Sequence, residues 1–85
     1  MFKILVVEDE KDLNQTVCAF LNKNGYEAVG CLSANDAYNE MYGIMFDMII
    51  SDIMMPQIDG YEFAKTVRDM NQDIPILFYD SQRGF

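Results

Sequence analysis

The stretch DMIISDIMMPQIDG, from Asp47 to Gly60, contains the features that decide the fold. Its first five residues, Asp47 to Ser51, predict a buried β-strand whose centre is one methionine and two isoleucines. Asp52 follows this strand directly, and the pair Asp59-Gly60 is typical of a turn. Because a charge at the end of a buried strand needs solvent or a partner, Asp52 is a candidate functional residue.

Three other apolar runs predict strands. They are Lys3–Val7, Tyr26–Cys31 and Ile76–Tyr79. The run KILVV is continuously apolar after its lysine, which is typical of a strand covered on both faces. Helical patterns separate all four runs, so strand and helix alternate along the chain. This alternation predicts an α/β fold with right-handed βαβ units and a parallel sheet.

Each of the three predicted helices has an apolar stripe at helical spacing. The stripes are Leu13, Val17, Phe20 and Leu21 in the first helix, Ala37, Met41 and Ile44 in the second, and Phe63, Ala64, Val67 and Met70 in the third. The pair Asn24-Gly25 is expected to stop the first helix. Ser33 with Asp36 resembles a capping box that opens the second helix, and Gly43 is expected to loosen its end. The third helix is expected to run to about Asn71.

Acidic residues follow two of the predicted strands. If the first strand lies between the second and the third, the crossover direction reverses between strands one and three, and sheets of this kind bind ligands at that gap. The strand ends that meet there carry Glu8-Asp9 and Asp52. Three carboxylates at close range should raise the pKa of at least one of them, unless a cation is bound.

Magnesium suits such a pocket, because it takes oxygen ligands and commonly uses only one or two carboxylates plus waters and phosphate oxygens. With the ion in place, one carboxylate can attack a phosphoryl group. Asp52 is the best placed nucleophile, since it is the single acid at its strand end. An ordinary structural role stays open: Asp9 or Asp12 could cap the first helix, and Asp52 could simply mark the end of a strand.

The composition narrows the function classes. Fourteen acidic and six basic residues give a formal charge of −8, which disfavours contact with nucleic-acid phosphates and anionic membranes. There is no histidine for a hydrolytic triad, and the glycine-rich fingerprints of dinucleotide and nucleoside triphosphate sites do not occur. Phosphatases with an aspartyl nucleophile carry a second aspartate two residues later, where this chain has Met54.

The 85 residues suit one small domain. The cysteines, Cys18 and Cys31, lack metal-ligand spacing, so we expect both to be buried apolar fillers. No apolar run approaches the roughly 18 residues of a membrane span. The opening MFKILVVEDE predicts a strand rather than a signal peptide, so the expected location is cytoplasmic.

Two segments carry a family resemblance, FKILVVEDE and FDMIISDIMMPQIDGYEF. An acidic pair follows the first strand, an aspartate follows the third, a proline lies four residues beyond that aspartate and a glycine eight beyond it. From Phe2 to about Tyr79 the chain resembles the receiver domain of bacterial two-component response regulators. The resemblance implies a flavodoxin-like parallel sheet in the order 2-1-3-4, with residues 1–85 as the N-terminal portion of the domain.

The resemblance also implies a role for each site residue. Asp52 would accept a phosphoryl group from a histidine kinase, and Pro56 and Gly60 would shape the loop over the pocket, the glycine by adopting conformations closed to other residues. The implied ligands of Mg²⁺ are Glu8, Asp9, Asp52 and the backbone carbonyl of Met54. Such a protein is a signalling switch rather than a turnover enzyme, and its output domain or protein lies outside this chain.

Two departures from the family pattern lie at the C-terminal end. Where the family places a threonine or serine after the fourth strand, this chain has Asp80, with Ser81 one step later. The fourth helix, the fifth strand with its terminal lysine and the fifth helix are missing. The fourth strand then becomes an edge, so we expect a homo-oligomer or segment exchange through it. An alternative function is therefore a degenerate or truncated receiver that only binds partners or dimerises.

Overall fold

A computed structural model describes residues 1–55, 58–70 and 73–80 of the chain. Four strands form one parallel sheet in the order β2-β1-β3-β4. The strands are β1 (Lys3–Val7), β2 (Glu27–Cys31), β3 (Met48–Asp52) and β4 (Ile76–Tyr79). The helices are α1 (Lys11–Lys23), α2 (Ala34–Gly43) and α3 (Gly60–Asp69). The predicted α/β fold and strand order are confirmed.

Strand β1 lies inside the sheet and is covered on both faces. Leu5, Val6 and Val7 have no exposed surface, which explains why the run is continuously apolar rather than alternating. The main core joins β1 and β3 to the buried faces of α2 and α3. Its members include Leu5, Val7, Ala37, Met41, Ile49, Phe63 and Val67. Full burial of one such large aliphatic or aromatic side chain contributes about 1.5–3 kcal/mol.

Three strand boundaries, two in β3 and one in β2, differ from the prediction. Strand β3 includes Asp52, which pairs with Tyr79 of β4, so the aspartate is the last residue of the strand rather than the first after it. Asp47 lies outside β3, where its carboxylate accepts a hydrogen bond from the Lys3 backbone N–H at 2.8 Å. Strand β2 begins at Glu27, because the Tyr26 N–H donates to the Leu21 carbonyl of α1 rather than to a neighbouring strand; the Tyr26 ring packs edge-on against Phe2.

Helix α1 is capped neither by Asp9 nor by Asp12, the two candidates from the sequence. Glu10 is the N-cap, and its carboxylate accepts from the backbone N–H groups of Asp12 and Leu13. Asp9 and Asp12 do not cap the helix. The predicted stop is confirmed, since Asn24 is the C-cap and Gly25 has a φ of 91°, a left-handed conformation that favours glycine.

The caps of α2 and α3 use side chains that the sequence singled out. The Ser33 hydroxyl accepts from the Asp36 backbone N–H at 3.1 Å, as predicted, and α2 ends at Gly43. The Asp59 carboxylate accepts from the Glu62 N–H at 2.9 Å, which makes Asp59 the N-cap of α3 and Gly60 its first residue. The pair is therefore a helix start rather than a turn. Asn71 lies outside the described residues.

The apolar stripe of α1 is rotated from its predicted position. Phe20, predicted to face the sheet, is 65% exposed, whereas the polar Asn14 is 5% exposed. Gly30 in β2 explains the rotation, because its missing side chain leaves the space that Asn14 and Cys18 occupy. Asn14 is buried because it binds backbone carbonyls, so the helix turns this residue toward the sheet and Phe20 toward a flank.

No helix in the described part of the chain is long and apolar enough to cross a membrane. The longest is α1, with 13 residues and a charged residue at each end.

Candidate functional site

Three acidic side chains meet at the carboxyl edge of the sheet. Glu8 and Asp9 follow β1, and Asp52 ends the neighbouring strand β3. One carboxylate oxygen from each lies within 4.8 Å of the others. Glu8 is 0% and Asp52 2% exposed, while Asp9 is exposed. The parallel pairing of β1 and β3 thus brings the predicted acids together in a cluster that is open to solvent on one side.

Each oxygen of the Glu8 carboxylate has a hydrogen-bond donor. The Glu10 backbone N–H donates to Oε2 at 2.8 Å, where the chain turns into α1. The Tyr79 hydroxyl, at the end of β4, donates to Oε1. Two separate elements therefore hold a fully buried carboxylate, as a buried charge requires.

The environment of Glu8 raises its pKa from 4.5, mainly because burial disfavours the charged form. The charge of Asp52 raises the pKa further, while the hydrogen bonds from Tyr79 and Glu10 oppose the shift. The raised pKa was predicted, but burial rather than repulsion is its larger cause. Burial, followed by the hydrogen bond and charge of Glu8, also raises the pKa of Tyr79, so its hydroxyl keeps its proton at neutral pH.

Asp52 is fixed by the loop that follows it. The Met54 N–H donates to Asp52 Oδ1 at 3.2 Å, and Met54 forms an isolated antiparallel bridge with Asp59. The Ile53 N–H donates to the Tyr79 carbonyl at 2.7 Å, and the Gly60 N–H donates to the Ile53 carbonyl, also at 2.7 Å. The loop after β3 is thus tied both to β4 and to the start of α3.

Gly60 is required for space rather than for an unusual backbone conformation. Its φ lies outside the left-handed region, unlike that of Gly25. A Cβ at this position would lie 3.0 Å from the ring of Phe78 and 3.2 Å from Ile53. The prediction that Gly60 adopts a conformation closed to other residues is therefore wrong. Pro56, the other predicted loop-shaping residue, lies outside the described residues.

The predicted switch position is only partly described. Asp80 follows β4 directly and is half-buried, on the strand whose last residue pairs with Asp52. Ser81 lies outside the described residues. A carboxylate at position 80 adds negative charge near the carboxyl edge that already carries Asp52.

The donor set fits a magnesium ion. Magnesium prefers hard oxygen ligands, and the cluster offers one oxygen from each of three acids at mutual distances that one ion can bridge. Two of the three carboxylates are nearly or fully buried, so a cation would offset their mutual repulsion and their loss of hydration. The residues present therefore suit a divalent cation.

A cleft of about 350 Å³ opens beside Asp9. Its walls come from the start of α2 and from the loop after β3. The lining residues are Asp9, Leu32, Ser33, Ala34, Asn35, Tyr38, Met55 and Ile58. Among the described residues, the buried Tyr38 hydroxyl has no hydrogen-bond partner, although its ring stacks on Phe63 at 5.7 Å. The cleft gives the exposed side of the acidic cluster a partly apolar neighbour.

Sequence reasoning missed Tyr79 and Asn14 as residues that support the site. Tyr79 had a recognisable signal, since it is an aromatic residue with a polar tip at the end of a strand next to β3. Asn14 had a weaker one, a polar residue inside the predicted first helix. Its amide donates to the carbonyls of Glu8 at 3.0 Å and Cys31 at 2.9 Å, and so ties the ends of β1 and β2 to α1.

Known proteins share this fold and much of this sequence. The family model of the response regulator receiver domain matches residues 4–83. The regulatory protein VanRB of Enterococcus faecalis is 39% identical over 75 residues, which cover 88% of this chain and 34% of that protein. This chain thus spans about a third of the length of the curated relative.

Solved structures agree with the sequence comparison. The chemotaxis protein CheY4 of Vibrio cholerae has a TM-score of 0.87 and 38% identity, covering 92% of this chain and 67% of the solved one. The response regulator TrrA of Thermotoga maritima, solved in complex with Mg²⁺-BeF, has a TM-score of 0.82 and 32% identity. The match covers 98% of this chain and 75% of the TrrA chain. By fold, by sequence and by the match over residues 4–83, this chain belongs to the response regulator receiver domain family of two-component signalling.

Proposed function

We propose that this chain is a phosphoacceptor module in which Asp52 takes a phosphoryl group from a histidine kinase and thereby switches an output. The observation that carries the proposal is the convergence of Glu8, Asp9 and Asp52, with ligand atoms within 4.8 Å of one another. Asp52 is the proposed nucleophile, because it ends β3 at the gap between β1 and β3.

The reaction transfers one phosphoryl group. An oxygen of the Asp52 carboxylate forms a P–O bond as the P–N bond of the donor phosphohistidine breaks, and the imidazole nitrogen keeps the electron pair and takes up a proton. The Met54 N–H, which donates to Asp52 Oδ1, helps to orient the carboxylate for this attack. The product is an acyl phosphate whose phosphoryl group carries about −1.5 to −2 charges at neutral pH, in place of the single negative charge of the Asp52 carboxylate.

We propose Mg²⁺ as the cofactor. Its proposed ligands are the carboxylates of Glu8, Asp9 and Asp52 and the backbone carbonyl of Met54. When bound, the ion would screen the negative charge that gathers between the carboxylates and the phosphoryl group. The oxygen donor set supports this assignment, and the complex of the related TrrA protein contains Mg²⁺-BeF.

Several further properties belong to the same proposal. The chain acts as a switch rather than a turnover enzyme, because its own side chain is the acceptor. Residues 1–85 are the N-terminal portion of a receiver domain that works in the cytoplasm beside its kinase, and the output lies outside this chain. Supporting this, the chain covers 67% of the CheY4 structure and 75% of the TrrA structure. Pro56 and Gly60 shape the loop beside Asp52.

A phosphorylation assay tests the function directly. The chain is incubated with Mg²⁺ and a small phosphodonor such as acetyl phosphate, and its intact mass is measured. We expect a mass gain of one phosphoryl group that disappears with a chelator and in Asp52→Asn. The matched control is Asp47→Asn, an acid at the opposite end of β3, which should gain the same mass as the wild type. A gain that persists in Asp52→Asn contradicts the assignment.

A second candidate function is partner binding or dimerisation without phosphorylation. Asp80 favours it, since an ionised carboxylate cannot donate a hydrogen bond to a phosphoryl group. Strand β4 favours it too, because β3 is its only strand neighbour in the described sheet and Leu77 is 55% exposed. A wild-type chain without mass gain supports this alternative.

Light scattering tests self-association. We expect an oligomer that Leu77→Lys weakens, and a compact wild-type monomer at micromolar concentration would exclude self-association.

A further inference from the structure

We propose that Tyr79 is a positioning residue, which holds the carboxylate of Glu8 in the orientation that the metal requires. The inference rests on the proposed magnesium-dependent function and extends it to a residue of β4. Tyr79 donates its hydroxyl proton to Glu8 Oε1, across a sequence separation of 71 residues. It would not ligate the ion itself, and it acts only through Glu8.

The geometry around Glu8 is that of a clamp with two sides. The Glu10 N–H holds Oε2 at 2.8 Å, and the Tyr79 hydroxyl holds Oε1. Each carboxylate oxygen can accept two bonds, so each keeps one lone pair for a cation. With both oxygens held, the plane of the carboxylate is fixed. A ligand that is already oriented loses less entropy when the ion binds.

The donor is itself fixed in place. Tyr79 ends β4 opposite Asp52, and its carbonyl accepts from the Ile53 N–H at 2.7 Å. Its hydroxyl therefore approaches Glu8 from a strand that is anchored on both sides of Asp52. Tyr79 thus contacts two members of the acidic cluster: its backbone pairs with Asp52, and its side chain bonds to Glu8.

Without the phenol hydroxyl, Glu8 would lose one of its two donors. The side chain is 0% exposed, so water cannot readily replace the lost bond. The carboxylate would then rotate about the remaining bond to Glu10 or draw closer to another donor, and either change moves its oxygens relative to Asp9 and Asp52.

Calorimetric titration with Mg²⁺ tests this inference on the full chain. We expect Tyr79→Phe, which keeps the ring, to weaken Mg²⁺ binding by about tenfold or more, as for other residues that orient metal ligands. The matched control is Tyr38→Phe, which removes a buried hydroxyl that has no partner among the described residues. Its affinity for Mg²⁺ should equal that of the wild type. Unchanged or tighter binding by Tyr79→Phe overturns the inference.

A melting experiment without metal separates positioning from general loss of folding. Tyr79→Phe should lower the melting temperature by about 4 °C or more in the wild type and by much less in a Glu8→Ala background, because the hydrogen bond is then already lost. An equal shift in both backgrounds overturns the inference.

The Mg²⁺ titration separates failure of the proposed function from failure of this inference. If the wild type binds no Mg²⁺, the proposed magnesium-dependent function fails. If the wild type binds Mg²⁺ and Tyr79→Phe binds it equally well, only the role of Tyr79 fails.

Discussion

At the residue scale, Glu8 carries a carboxylate with no solvent exposure, and burial of such a charge costs free energy unless the group is hydrogen-bonded. The Glu8 carboxylate accepts hydrogen bonds from two donors and has a raised pKa. The Tyr38 hydroxyl, in contrast, is buried with no hydrogen-bond partner in the described part of the chain. Glu8 belongs to the acidic cluster, and Tyr38 lines the cleft beside Asp9. One polar group is compensated and the other is not, and this difference leads to measurable differences in stability.

Replacement of Tyr38 by phenylalanine should stabilise the chain. The variant keeps the ring that stacks on Phe63 and removes a hydroxyl that has lost its hydration, which costs about 1–3 kcal/mol for a buried unsatisfied group. We expect the free energy of unfolding in urea to rise by about 1 kcal/mol. Tyr61→Phe, at a residue that is 82% exposed, is the control and should change little. A loss of stability in Tyr38→Phe would mean that the hydroxyl has a partner.

The thiol of Cys31 should be protected from alkylation. Burial first, and then the charges of Glu40 and Asp36, raise its pKa from 9.0 to about 11. At pH 8 the thiolate fraction is then about 100-fold lower than in the unfolded chain, so reaction with iodoacetamide should slow by at least about that factor. The measurement is mass spectrometry after timed alkylation, with the urea-unfolded chain as control.

The same shift has a defined sign for stability. Because the folded state favours the neutral thiol, the contribution of Cys31 is fully present below pH 9 and is lost as the pH rises toward 11. We therefore expect alkylation of the native chain to accelerate through this window. Fast alkylation of Cys31 at pH 8 in the folded protein would contradict the burial seen at this position.

At the scale of elements, α1 is joined to the sheet by a polar contact as well as by apolar packing. The Asn14 amide bonds to the carbonyls that follow β1 and end β2, and a side chain at Gly30 would collide with Asn14 Oδ1. This contact fixes how the helix is rotated. It also holds the Glu8 backbone, and thereby connects α1 to the acidic cluster.

The exchange Asn14→Ala should destabilise the chain by about 1–3 kcal/mol, because a buried carbonyl loses its donor. Gly30→Ala should also destabilise it, since the added methyl displaces Asn14. The two costs should not add, because the methyl meets no amide once residue 14 is alanine. Urea unfolding measures all three variants, and Asn39→Ala, on the exposed face of α2, is the control. Fully additive costs would contradict the shared contact.

The sequence predicted most elements but not how they are rotated. The alternation of apolar runs and helical stripes predicted the parallel α/β fold, and β4 has the predicted limits, because these signals depend on burial alone. The order of the strands was implied by the family resemblance. The prediction that Phe20 faces the sheet was wrong, because periodicity considers only apolar residues. It cannot recognise that Asn14 is buried in order to donate to backbone carbonyls. Glu8, Asp9 and Asp52 could be brought together from strand ends alone, but Tyr79 required the actual reach of a side chain.

At the scale of the whole molecule, the formal charge of −8 and the acidic cluster lead us to expect that cations stabilise the fold. Any ion that binds the folded chain and not the unfolded one adds to its stability by mass action. The acidic cluster exists only when β1 and β3 are paired, so the unfolded chain offers no equivalent site.

Magnesium should therefore stabilise the entire domain. At a free concentration of about 100 times its dissociation constant, we expect the free energy of unfolding to rise by about 2.7 kcal/mol. Urea unfolding with and without Mg²⁺ measures the gain, with potassium chloride at equal ionic strength to control for screening. The gain should vanish in Glu8→Ala and persist in Asp36→Asn, an acid in the first turn of α2. An equal gain in Glu8→Ala would place the ion elsewhere.

The bond between Tyr79 and Glu8 also sets the order in which the site can be assembled. Its partners stand 71 residues apart, so closing this loop is among the most demanding steps in chain entropy. During synthesis, Glu8 leaves the ribosome long before Tyr79, and the early strands must keep a half-supported carboxylate until β4 docks. The acidic cluster forms when β1 and β3 pair, but the full orientation of Glu8 is a late folding event, and a rise in cation affinity should report that the fourth strand has been added.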